Sequence, residues 1–246
     1  MSEFHGSVAT ELVVSHVRGL LDRGQLKAGD RLPSERELAR RLGVSRPSLR
    51  AGLRSLAVMG IVQIRPGAGS FIAGGPPAFG TTALGFQAAL HGFSRDQMFQ
   101  ARQALEVAVA GLAAEQARPE DLIAVSDEAT GMFASLDDPQ AFLEHDIAFH
   151  EAVAAASGNP ILSALVHMVA EQFRELRRRT IDHARDLKQA ADEHRAIYLA
   201  LRAHDAERAR RAMRDHLDRA YRGQVLEDTG GDGGAPSEAP AGRPAP

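Results

Sequence analysis

Four side chains with the chemistry of a divalent-metal shell are spread over the C-terminal half of this sequence: Asp146, His150, His194 and His216. Asp146 and His150 stand four residues apart, which puts both on one face of a helix. His194 lies within DEHRAIYLALRAHD and His216 within RRAMRDHLDRAY, both helical in pattern. One carboxylate and three neutral imidazoles, drawn from three helices into the middle of a bundle, suit a divalent transition metal: zinc first, with nickel or manganese as alternatives. An Asp–His pair at this spacing also serves as a surface pair or a helix-stabilising contact, so spacing alone leaves both readings open. A metal with an open position can activate water, but no nucleophile or general base with recognisable spacing accompanies these residues. The sequence therefore offers no catalytic residues. His145 projects about 100° away from Asp146 and is expected outside the shell. His167 reads as a core or pocket-rim histidine, His183 and His204 as helix-end residues, and Arg177–Arg179 as a solvated face, with a ligand-entrance flank or a weak DNA contact as alternatives.

A second chemistry, the reading of DNA, belongs to residues 32–72. Arg46, Arg50 and Arg54 recur every four residues on one face of a helical pattern whose buried stripe is Leu49, Leu53 and Leu56. Arginine makes two hydrogen bonds to guanine O6 and N7, and the start of a recognition helix is where base edges are met. Arg46 and Arg50 fill that role. Ser45 and Ser48 suit phosphate contacts or local readout, and Arg36 lies in the first turn of the preceding helix. Arg65, Gly67 and Gly69 sit at the tip of a hairpin predicted over IVQIRPGAGSFIA, where glycine lets the backbone approach the minor groove.

The elements that must position these groups follow from local signals. Ser34 N-caps a short helix, with Glu37 completing a capping box, and Gly43 ends it. Ser45 caps the next, where Pro47 is tolerated in the first turn. Strands Ile61–Arg65 and Ser70–Ala73 make a wing. Upstream, 8–23 is an amphipathic helix through Val8, Leu12, Val17, Leu20 and Leu21, and 26–32 adds a small strand. GGPPAFG breaks any element, a weak helix falls at 82–91, and helices follow at 95–117, 120–136, 139–157, 160–183, 186–203 and 205–226. Their short connections predict an antiparallel bundle. The fold class is mainly α: an N-terminal winged helix-turn-helix at 8–73, a linker at 74–81, an all-α bundle at 82–226 and a disordered tail at 227–246.

Charge follows the same division. Residues 1–75 carry 11 Lys and Arg against 6 Asp and Glu, a balance of +5, while the remainder carries −8 within a total of −3. A basic module joined to an acidic one fits a DNA reader with a separate working domain. No apolar run approaches the ~18–20 residues of a membrane helix, so no membrane partner is expected. The absence of cysteine excludes disulfides and thiolate metal sites and fits a cytoplasmic address.

Residues 8–73, through LPSERELARRLGVSRPSLRAGLRSLAVMGIV, resemble the winged helix-turn-helix of GntR-family transcription regulators. The resemblance implies DNA contacts by Arg36, Arg46, Ser48, Arg50 and Gly67. Ala51 stands where the family commonly has Glu, and Pro47 where some members have Thr. Residues 95–217, through RQALEVAVAGLAAEQA, EHDIAFHEAVAAASGNPIL, DEHRAIYLALRAHDAERARRAM and DHL, resemble the ligand-sensing FCD domain of the FadR subfamily. The metal-containing members' D-x-x-x-H, E-H and H-L patterns map onto Asp146, His150, His194 and His216. The resemblance further implies that Arg102 pairs with a ligand carboxylate and that Asn159, in the family's G-N-P, terminates a helix, lines the pocket, or does both. The expected function is a ligand-responsive repressor, dimeric on a palindromic double-stranded operator and governed by a small carboxylate. The alternatives are a metal-dependent enzyme on the bundle, or a constitutive DNA-binding protein with a structural metal.

Overall fold

The computed structural model describes residues 2–74, 81–181 and 186–230, with side chains left out at 2–7, 82, 175–176, 179–180 and 224–230. Its elements run α1 (Ser2–Asp22), α2 (Glu35–Leu42), α3 (Arg46–Val58), β1 (Val62–Arg65), β2 (Gly69–Ile72), α4 (Thr81–His91), α5 (Arg95–Gln116), α6 (Pro119–Ala134), α7 (Pro139–Ala156), α8 (Pro160–Thr180), α9 (Leu187–Arg202) and α10 (Ala206–Gly230). The chain forms two compact units, residues 1–105 with 158–173 and residues 106–157 with 174–246, so α5 and α8 each run through both. Most of the expected linker, His183, and residues 231–246 lie outside the described residues; α10 carries the helix to Gly230, four residues into the stretch expected as tail.

In the first unit, Ser34 Oγ accepts from the Glu37 amide and Gly43 closes α2 at φ 64°, a left-handed value that glycine adopts without penalty. The return half of the expected capping box is replaced: the Glu37 carboxylate pairs with Arg41, one turn on. Ser45 Oγ accepts from the Ser48 amide and caps α3, with Pro47 in its first turn. Leu49, Leu53 and Leu56 are buried with Val13, Val17, Leu32, Leu38, Val62 and Ile72 in one core. Gly52 lies in that core where a Cβ would fall 2.6 Å from Val13 Cβ, so α1 and α3 approach as closely as they do only because the side chain is absent.

Two expectations need correction here. The buried face of α1 is Val13 and Val17, while Val8 and Leu12 are 63% and 45% exposed. Residues 26–32 form no strand but an isolated bridge of Arg31 to Phe71, flanked by backbone bonds from Gly29 to Ile72, Ile72 to Asp30 and Leu32 to Ser70. β1 and β2 pair antiparallel from Val62↔Ile72 to Arg65↔Gly69, and the Ala68 amide donates to the Arg65 carbonyl across the tip.

The second unit is helical throughout its described residues. Asp138 caps α7 and Asp186 caps α9 through side-chain oxygens, while Pro139 occupies the first turn of α7. Short connections fold α6 onto α7 and α9 onto α10, and α9 also packs on α6 and α7. Phe142, Leu143, Phe149, Val153, Ile197, Leu201, Met213 and Leu217 are all at most 2% exposed. With so few aromatics, the close approach rests on alanines such as Ala110, Ala113 and Ala114 on α5. Each fully buried large aliphatic contributes roughly 1.5–3 kcal/mol, enough in sum to hold polar groups in the interior. His204, at φ 53° in the α9–α10 turn, donates from Nδ1 to the Ala114 carbonyl near the end of α5 at 2.8 Å.

Candidate metal centre and DNA-reading face

Asp146 and His150 from α7, His194 from α9 and His216 from α10 converge in the second unit, at 4%, 3%, 0% and 3% exposure. One ligand atom from each lies within 4.8 Å of all the others. The imidazole centroids of His194 and His216 are 4.1 Å apart, and Phe149 walls the cluster edge-on to His194 at 4.8 Å.

Each imidazole has an oxygen at Nδ1. His194 Nδ1 lies 2.7 Å from the Ala190 carbonyl, one turn back on α9. A carbonyl only accepts, so the proton sits on Nδ1 and the lone pair on Nε2, which faces Asp146 Oδ1 at 3.2 Å. His216 Nδ1 is 3.2 Å from Glu193 Oε2, and His150 Nδ1 is 2.5 Å from Glu106 Oε2, although this last N–H is not aligned on its oxygen. Buried lone-pair nitrogens beside an ionised carboxylate are the donor set a divalent transition metal requires, and the residues fit such an ion.

Burial alone would raise the Asp146 carboxyl, but the Arg177 guanidinium beside it outweighs that and holds the group well below the usual carboxylate range. For Glu193 the balance reverses: burial pushes its carboxyl up despite Arg219, whose Nε lies 2.7 Å from Glu193 Oε1.

Arg177 corrects the sequence reading. Expected as part of a solvated face, it pairs with Asp146 Oδ2 and its side chain is only 15% exposed. Its neighbour Arg178 does face solvent, paired with Glu144. Sequence reasoning missed Glu106, whose single signal is a carboxylate inside the apolar run LEVAVAGLAA, and gave Glu193 no role. His145 stands apart from the cluster, paired with Glu128 at 2.8 Å. Arg102 and Asn159 belong to the first unit: Arg102 is buried with its guanidinium 5.8 Å over the Phe173 ring, and Asn159 Oδ1 accepts from the Ile161 and Leu162 amides, capping α8.

The DNA-reading candidates lie on α2, α3 and the wing. Arg36, Arg46 and Arg50 are exposed. Arg50 Nε donates to Glu35 Oε2 at 2.8 Å. Ser45 and Ser48 share a hydroxyl contact of 2.8 Å, so both serve the α3 cap as well as facing outward. Arg65 lies 4.6 Å over the Phe71 ring and donates to Gln63, while Gly67 and Gly69 hold positive φ values of 73° and 110° at the hairpin tip.

A winged helix-turn-helix followed by a helical bundle with a buried polar cluster defines a class: DNA-binding regulators with a separate sensing domain. Residues 9–72 match the gntR family of bacterial regulatory proteins and residues 97–219 match the FCD domain. The transcriptional regulator LutR of Bacillus subtilis (strain 168) is 32% identical over 207 residues, covering 80% of this chain and 93% of that protein. The transcriptional repressor NanR of Klebsiella aerogenes is 31% identical over 221 residues, covering 85% and 82%. A solved structure of a Streptococcus agalactiae GntR superposes with a TM-score of 0.67 at 25% identity, covering 87% of this chain and 99% of that one. The chain belongs to the GntR family, as a regulator with an FCD domain. The matched domains and relatives are transcription regulators, not enzymes. A DNA partner and a small-molecule effector come with those domains, and among the described residues no helix is long and apolar enough to cross a membrane.

Proposed function

We propose that this chain is a cytoplasmic repressor that binds a palindromic operator as a homodimer and releases it when a small carboxylate enters the helical domain. Residues 8–73 would read DNA, 74–81 would link, 82–226 would sense, and 227–246 would trail. The observation that carries the sensing half is the convergence of Asp146, His150, His194 and His216 at under 5% exposure. Buried ionisable groups are costly unless they are used. Zinc suits the set first, with nickel or manganese as alternatives.

A divalent cation bound there would supply a positive centre for a carboxylate. The chain's own residues do the rest. Asp146 contributes the anionic ligand, the three imidazoles contribute neutral ones, and Arg102 and Asn159 are the proposed effector contacts by family resemblance. On the DNA side, Arg46 and Arg50 read base edges, Arg36 reaches a phosphate or a base, Ser45 and Ser48 serve phosphate contacts or local readout, and Arg65, Gly67 and Gly69 track the adjacent minor groove. The repressor sense draws support from the relative named as a repressor. A ligand changes operator affinity only if it binds two arrangements of the protein unequally.

Elemental analysis of purified protein, followed by thermal shifts with mono- and dicarboxylates with and without metal, tests this reading. We expect one divalent ion per chain and a carboxylate that stabilises only the metal-loaded form. A carboxylate that binds metal-free protein equally well would reduce the metal to a structural staple.

A further inference from the structure

We propose that Glu106 and Glu193 are positioning residues that select the ligating nitrogen of His150 and His216 and thereby set the protein's metal affinity, with Glu106 the stronger of the two. The proposal rests on the metal reading above.

An imidazole offers either ring nitrogen to a metal, and the nitrogen that loses its proton is decided by what the other one meets. In this cluster the choice is made three times. For His194 it is made by backbone: the Ala190 carbonyl at 2.7 Å is built into the α9 turn, and no substitution short of breaking the helix removes it. For His150 and His216 a carboxylate from another helix stands at Nδ1: Glu193 on α9 at 3.2 Å as a hydrogen bond, and Glu106 on α5 at 2.5 Å as a buried ion-pair contact whose N–H is not aligned on the oxygen. A carboxylate at Nδ1 holds the proton there, directs Nε2 to the metal, and pulls on the N–H so that the ring becomes a better electron donor.

The two carboxylates differ in strength. The Glu106 side chain is 3% exposed against 11% for Glu193, so its charge is the less screened by solvent. Glu193 divides its charge with Arg219 and Gln189, and it borders an open groove of about 430 Å³ between α9 and α10 that Arg208 and Arg211 also line. Solvent and guanidinium groups there screen its pull on His216.

The experiment measures zinc affinity of the full-length protein by competition with a chromophoric chelator, for wild type, Glu106→Gln, Glu106→Ala and Glu193→Ala. The expected losses are roughly 10–100-fold for Glu106→Ala and smaller for Glu193→Ala, with Glu106→Gln recovering part because its amide oxygen still accepts from Nδ1. Long-range ¹H–¹⁵N spectra of the metal-free wild type supply a second readout, predicting Nδ1-protonated His150 and His216. Unchanged affinity in a folded Glu106→Ala overturns the proposal, as does an Nε2-protonated His150 in wild type should that variant fail to fold. Wild type that binds no zinc overturns the metal reading itself, a different outcome.

Discussion

Arg50 on α3, the proposed reading helix, and Glu35 in the first turn of α2 form an ion pair, Nε to Oε2 at 2.8 Å. Both side chains are accessible, at 53% and 32%, so the pair is worth little to stability. Its consequence is for DNA. The Arg50 guanidinium is engaged by a carboxylate on the face proposed to meet DNA.

Glu35→Gln therefore should tighten binding to an unrelated duplex and steepen the dependence of affinity on salt, because one more arginine becomes available to the backbone. Fluorescence anisotropy over a salt series measures this. No change in non-specific affinity would mean that the pair opens freely and restrains nothing.

Arg46→Ala and Arg50→Ala should each lose about 1–3 kcal/mol of discrimination between the selected site and a mutated one, whereas Arg36→Ala should weaken all sequences alike. Competition binding with a panel of single-base variants separates the two patterns. Full discrimination in both α3 variants would remove α3 from the base edges.

Gly52→Ala tests the α1–α3 contact. The added methyl would meet Val13 Cβ at 2.6 Å and Cγ1 at 2.8 Å, and Val13 is itself fully buried. Overpacking of this kind costs about 1–3 kcal/mol. Urea denaturation of the full chain should show a lowered midpoint, and an unchanged midpoint would mean that α1 shifts without penalty.

The depressed Asp146 carboxyl makes a pH prediction with a definite sign. Its folded value lies below its unfolded one, near ~3.9, so its contribution to stability is present above that unfolded value and is lost as pH falls through the folded one. In metal-free protein, the stability difference between wild type and Asp146→Asn should be largest near neutrality and shrink below about pH 4. An equal difference at pH 6 and pH 3 would show that the Arg177 pairing does not depend on the carboxylate charge.

What the sequence made legible was local or periodic. Ser34, Ser45 and Asp138 identify themselves as caps because their partners lie three residues away. Leu49, Leu53 and Leu56 identify a buried face because helical spacing alone brings them together. The four candidate ligands were found because their types are rare together and their patterns resemble a family's. Periodicity was less secure on α1, where Val8 and Leu12 lie on a face adjacent to Val13 and Val17, and only packing against α3 selects between them. Arg177, Glu106 and Glu193 were misread or passed over for one reason: each takes its meaning from a partner 23 to 44 positions away in the chain. A charged residue in a helical run looks solvated until its partner is in place.

The central claim is that carboxylate binding in the helical domain alters DNA reading in the other. The direct measurement is the affinity of metal-loaded protein for a duplex selected from a random pool, with and without a carboxylate already shown to bind by thermal shift, in wild type and in His194→Ala. Adding the carboxylate to wild type is expected to lower operator affinity about 5–150-fold, with no response in His194→Ala. A carboxylate that binds metal-loaded wild type and leaves its operator affinity unchanged would contradict it.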